Sequence, residues 1–166
     1  MKLGITTLTT AAFAALVVFA GAALAGTARS TSTVAFTAKY AGTATTSVND
    51  NVVAISATGK GTGPQIGAGK IVGKGTGDSS DPQNCVPFFG TGTMTGTAAT
   101  TVAFKVLNIS KGCGDESGQV FSVSGKATVL KATGKLLRAK GTLKFTGTYN
   151  RGSGAFSVKF TGTLTK

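Results

Sequence analysis

The chain has 166 residues, 17 Lys and Arg against 5 Asp and Glu, and neither His nor Trp, for a formal charge of +12. Without histidine, no Ser-His pair and no His metal cluster can be assembled, which excludes the commonest hydrolase and metalloenzyme sites. The positive excess favours anionic partners and also keeps a protein soluble.

Met1-Lys2 gives a charged start, Ala11–Ala20 (AAFAALVVFA) an apolar run, and Ala23-Leu24-Ala25 a small-residue ending before Gly26. These are the parts of a secretory signal peptide over 1–25. The alternative is an uncleaved membrane anchor. Cleavage leaves a secreted domain, 26–166, of 141 residues (166 − 25) and, without Lys2, a charge of +11. That is the size of one domain with a real core. No cysteine at the cleavage point suggests a lipoprotein anchor, and no later stretch is long and apolar enough to span a membrane as a helix. The expected location is extracellular or periplasmic.

After Gly26 the composition is that of strands and turns. Val34, Phe36, Ala38 and Tyr40 alternate with Thr33, Ala35, Thr37 and Lys39. Val53, Ile55, Ala57, Gly59 and Gly61 continue the pattern, as do Gly69, Ile71, Gly73 and Gly75. Residues 59–77, GKGTGPQIGAGKIVGKGTG, look at first like a phosphate loop. They fail the test: Gly69-Lys70 is followed by Ile71 rather than Ser or Thr, and Gly67, Gly69 and Gly73 miss the dinucleotide spacing by one residue. The stretch reads instead as two strand ends around a Gly63-Pro64 turn.

Further strands follow at Phe88–Gly96, Thr101–Leu107 and Phe121–Val129. The clearest are the last two. In Lys140–Tyr149, Leu143, Phe145 and Tyr149 share a face, and in Ala155–Leu164, Phe156, Val158, Phe160 and Leu164 do. Strict alternation over such lengths marks half-buried strands, and Asn150–Gly154 between them is a hairpin loop. About eight regularly spaced strands with one apolar face predict an all-β fold, a single eight-stranded antiparallel up-and-down β-barrel, with a β-sandwich as the alternative. The strand lysines fall on the threonine face, hence outside, where solubility and blocked edge pairing account for them without a partner. Short repeats, GKGTG and FTGT, reflect neighbouring strands meeting the same packing demand.

Two cysteines in an exported chain most simply pair, so Cys85 and Cys113 are expected to form a disulfide. It would close a loop of about 29 residues, worth roughly 3.5 kcal/mol on the chain-entropy model. Asp78 and Asp81 precede Cys85, and Asp115 and Glu116 follow Cys113, so the bridge would gather an acidic loop patch. Oxygen ligands on loops can hold calcium, but no spaced carboxylate motif is present, and turn-forming aspartates are the plainer reading. No metal and no cofactor is expected. Asn108-Ile109-Ser110 is a glycosylation sequon, relevant in a eukaryotic secretory pathway.

Thr133-Gly134-Lys135-Leu136-Leu137-Arg138-Ala139-Lys140-Gly141-Thr142 resembles the T-G-[RK]-[FL]-x-x-A-x-G-T stretch that enters a late strand in the allene oxide cyclase barrel-like proteins, relatives of the dirigent proteins. The Gly-rich strands of 59–77 are similar too. The resemblance implies an eight-stranded antiparallel barrel, often exported. No position here matches catalytic residues of those enzymes.

Inside such a barrel, Tyr40, Tyr149, Phe104 and Phe145 could line a ligand cavity; a packed core with hydroxyls at its rim is favoured over it. The expected role is non-catalytic binding or structure, with a small apolar ligand inside or an anionic cell-surface polymer outside. The alternative is an isomerase- or cyclase-like enzyme that shapes its substrate in an apolar cavity. Specific nucleic-acid binding is not expected, because arginines are few and the aromatics lie on the apolar face.

Overall fold

The computed structural model describes residues 31–80 and 85–166. The signal peptide read over 1–25 and Asp81 lie outside the described residues. Strands β1 (Thr33–Asn49), β2 (Val52–Thr62), β3 (Gly69–Asp78), β4 (Cys85–Thr95), β5 (Thr101–Gly114), β6 (Val120–Ala132), β7 (Thr142–Asn150) and β8 (Ala155–Thr165) follow one another in the chain. Each pairs antiparallel with the next, and β8 pairs with β1. The sheet is a closed up-and-down barrel, so the sandwich alternative does not apply.

The alternation read from the sequence sets which residues face in. Phe36, Ala38, Ile71, Met94, Val102, Phe104, Leu143, Phe145, Phe160 and Leu164 are buried, and the intervening Thr, Ser and Lys residues point mostly outward. A walk across the pairing from Ala44 passes Ala57, Gly73, Gly92, Phe104 and Val129, then Gly141 and Leu164. It returns to β1 at Val34, ten residues from its start. Such a stagger tilts the strands and leaves a lumen wide enough for side chains or one small ligand.

The two ends differ. The β2–β3, β4–β5 and β6–β7 connections close one end. The first inserts Ile66. The last contains a 3-10 turn, Gly134–Leu136, that inserts Leu136; both side chains are 1% exposed. The connections are also tied together: Thr97 N–H donates to the Ile66 carbonyl at 3.0 Å, and the Thr101 and Thr133 hydroxyls are 2.7 Å apart. Thr100, fully buried, accepts from the Lys135 N–H at 3.3 Å. The Thr133–Thr142 stretch singled out in the sequence thus forms a cap, with Leu136 and Ala139 buried and Leu137 and Arg138 exposed.

At the other end the turns are short and polar: Asp50-Asn51, Asp115–Gln119 and Arg151–Gly154. No apolar side chain from these three turns is buried. Cys85 and Cys113 face each other across β4 and β5 at this end and are joined by a disulfide, with Cα atoms 4.0 Å apart.

One irregularity was not legible in the alternation. β5 carries extra residues around Leu107–Ile109, where its register shifts against both β4 and β6. Buried Ser110 repairs the break: its hydroxyl accepts from the Lys126 N–H at 3.3 Å and donates to the Lys126 carbonyl at 3.4 Å. The bulge leaves Ile109 on the surface next to Phe89, both more than half exposed.

Candidate functional site

The inward face of the open half is apolar but not filled. The lining includes small residues, Ala57, Gly73, Gly75, Gly90 and Gly112; the closed half is as rich in glycine, with Gly59, Gly61, Gly69 and Gly96, but it is filled by Ile66 and Leu136 from its connections and by Met94. The unfilled space is a cavity of about 480 Å³ reached from the open end. Its floor is a chain of three buried rings. Phe104 and Phe160 have centroids 5.4 Å apart, and Phe160 and Phe145 5.6 Å. Phe88 reaches across to Phe145 at 6.1 Å. These tilted arrangements are favourable for aromatic pairs and make a rigid base.

The walls are Val53, Ile55, Val106, Val123, Phe156 and Val158. Near the mouth, Phe121 and Tyr149 pair at 6.2 Å. The Tyr149 hydroxyl reaches the Thr46 hydroxyl at 3.2 Å, bridging over β8 to β1. Arg151, in the β7–β8 turn, completes the rim. Lys74, Ser79 and Thr91 border the space on the β3–β4 side. Apolar walls with a few polar groups are the usual make-up of a small-molecule site, and the volume is within the usual range of about 300–1,000 Å³.

Of the residues proposed to line a lumen site, Tyr149, Phe104 and Phe145 do so. Tyr40 sits elsewhere. Its ring packs over Gly61, it is 2% exposed, and it belongs to the packed core rather than the lining. Its hydroxyl has no hydrogen-bond partner among the described residues. Burial pushes this phenol up to about 12 from 10.0. The preference for a filled lumen therefore holds for the closed half and fails for the open one.

The acidic residues Asp50, Asp78, Asp115 and Glu116 all lie at the open end. Two of them are engaged in their own turns. Asp115 accepts from the Ser117 hydroxyl at 2.8 Å and from the Gln119 N–H at 3.1 Å. The Ser117 bond above all holds its carboxyl below the ordinary value. Asp78 is lowered likewise, first by the Ser80 side chain and then by the Ser80 N–H, which donates to it at 2.9 Å. Among the described residues no three His, Cys, Asp or Glu side chains gather as metal ligands. The local hydrogen bonds explain these carboxylates as turn formers.

Sequence reasoning missed Phe88, Phe121, Phe156 and Arg151 as site residues. The first three were correctly read as inward-facing, but their height along the axis follows from the stagger, which no single strand encodes. Comparison with protein families, curated proteins and solved structures finds no match. No helix among the described residues is long and apolar enough to cross a membrane.

Proposed function

We propose that this protein is an exported, disulfide-clipped barrel that carries a small apolar molecule in its open half. The observation that carries the reading is the 480 Å³ cavity with three rings for a floor and aliphatic walls. Water in such a space makes few hydrogen bonds, so an apolar guest gains from its displacement. Tyr149, Thr46 and Arg151 at the rim would hold one polar end of the guest. Export fits the Cys85–Cys113 disulfide, which persists in oxidising compartments. Kinship with the allene oxide cyclase barrel-like and dirigent-like proteins belongs to the same reading, supported by the antiparallel meander and the Thr133–Thr142 stretch. The alternative, a cyclase-like enzyme, would use the same cavity; with no catalytic positions to carry over, binding without turnover is the simpler conclusion.

The test is a fluorescence titration with the neutral probe N-phenyl-1-naphthylamine, chosen because it cannot bind through the lysines. One site per chain with blue-shifted emission is expected. Gly73→Leu fills the cavity from its wall, since a Cβ there meets no atom closer than 3.5 Å. This variant should fold and lose at least about tenfold in probe affinity, as steric filling of a pocket does. Unchanged binding in Gly73→Leu would place the probe elsewhere and remove the support for a lumen ligand.

A further inference from the structure

Seven of the ten lysines in the strands form a pattern. Seven consecutive strands around the closed barrel, from β5 through β8 and β1 to β3, each contribute one to it on the outer face: Lys105, Lys126, Lys144, Lys159, Lys39, Lys60 and Lys70; Lys74, Lys111 and Lys131, also exposed, lie off it. Three neighbouring pairs stand directly opposite each other: Lys60 and Lys70, Lys39 and Lys159, and Lys126 and Lys144. The other three steps, Lys105 to Lys126, Lys144 to Lys159 and Lys39 to Lys60, are each displaced by two residues toward the open end. In that direction the pairing itself drifts ten residues per circuit toward the closed end. The displacements cancel most of the drift. The ammonium groups therefore form a girdle at about one height, broken at β4, which has no basic residue.

This arrangement works against the fold. Like charges directly opposite on paired strands are destabilising. The residues beside the girdle lysines along and across the strands are Thr, Ser, Ala, Val, Leu or another Lys, never a carboxylate. Edge protection does not explain it either, since a closed barrel has no edge. Solubility needs net charge, not opposed pairs.

We infer that the girdle is a docking surface for a flexible linear polyanion, a chain of repeated phosphate groups that winds round the barrel waist. A planar anionic membrane fits less well. It meets one side of a cylinder, whereas the charge runs round seven strands. Threonines between the lysines, Thr37, Thr58, Thr128, Thr146 and Thr161 among them, would add hydroxyl donors to the anionic oxygens. This surface is independent of the lumen site.

The test is binding of inorganic polyphosphate by the intact protein over a range of salt concentrations. Binding should weaken linearly in log salt as counterions are released. Lys39→Gln with Lys159→Gln removes one opposed pair. It should lower affinity about tenfold near 100 mM salt and flatten the slope by about 1.4, or about 0.7 per lost contact. The same variant should melt at a higher temperature, because a repulsion is removed. Lys111→Gln with Lys135→Gln, which removes equal charge away from the girdle, should stay within about twofold of the parent. Equal weakening by both variants would reduce the effect to net charge and overturn the proposal. So would a lower melting temperature in the girdle variant, no polyphosphate binding at 100 mM salt, or tighter binding to phosphatidylglycerol vesicles than to polyphosphate. Lys126→Gln with Lys144→Gln provides a second pair for which the same results are required.

Discussion

In the closed half of the barrel Phe36, Leu143 and Leu164 are shut away from water, while in the open half Phe88, Phe121, Phe156 and Val158 stay partly exposed. The contrast runs along single strands: Val158 and Leu164 both point inward from β8. Alternation therefore dictates direction but not occupancy. Occupancy is decided by what comes from the opposite wall and from the ends. The closed half receives Ile66 and Leu136 from its connections and Met94 from β4. The described turns above the open half are polar and insert no apolar side chain. Closely packed interiors are the rule, and the half-empty lumen of this small domain departs from it; the proposed guest would account for that.

The largest effect should separate the halves directly. Phe36→Ala is expected to cost about 3–5 kcal/mol by urea unfolding, the range for a fully buried aromatic. Phe156→Ala, made at a wall that already borders empty space, should cost less than half as much. Equal losses would mean that the open half is as tightly packed as the closed one.

Removing the disulfide sharpens the comparison from the other side. Cys85→Ser with Cys113→Ser should cost up to about 3.5 kcal/mol on the chain-entropy model. The bridge clips β4 to β5 at the open end, so hydrogen exchange should accelerate near Val86 and Gly112 and remain slow near Val102 and Leu143. Uniform acceleration along the strands would show that the two halves open together.

Tyr40 gives a smaller effect with a definite sign. Its buried hydroxyl has no partner among the described residues, so Tyr40→Phe should change stability by no more than about 1 kcal/mol, in either direction. The unfolded chain ionises this phenol near 10.0 while the folded chain holds its proton to about 12. The resulting contribution is full below pH 10 and is lost as pH rises toward 12. Tyr40→Phe should therefore be the less alkali-sensitive protein. A loss well beyond 1 kcal/mol at pH 7 would reveal a bonding partner for the hydroxyl.

The smallest effect belongs to the open-end turns. Asp115→Ala removes the acceptor for Ser117 and Gln119 and should lower the melting temperature slightly at neutral pH. Because its carboxyl titrates below the ordinary value, the contribution is present at pH 7 and lost as pH falls through that lowered value. Parent and variant should converge in strong acid; a constant difference would show that the carboxylate charge is not what matters.

Much of this architecture is readable one strand at a time. Lys140–Tyr149 and Ala155–Leu164 declare themselves because one face is buried and the other wet, which forces a period of two. The full length of β1 is not readable, since Thr45–Asn49 are exposed on both faces and carry no period. The cap is hidden for a similar reason: Leu136 and Leu137 are adjacent and equally apolar, and only closure gives Leu136 a hole to fill while Leu137 stays exposed. Tyr40 and Tyr149 look equivalent in alternation, yet one is core and the other rim, because the ten-residue stagger sets their heights. The girdle is invisible for the same cause: its lysines are far apart in sequence and meet only through the register.

The most direct test of a half-filled barrel is methyl and aromatic NMR of the protein titrated with N-phenyl-1-naphthylamine. Resonances of Val123, Phe156 and Val158 should shift in a saturable way, while those of Phe36, Leu143 and Leu164 stay fixed. Shifts spread over both halves, or confined to exposed Phe89 and Ile109 on the outer wall, would contradict the account.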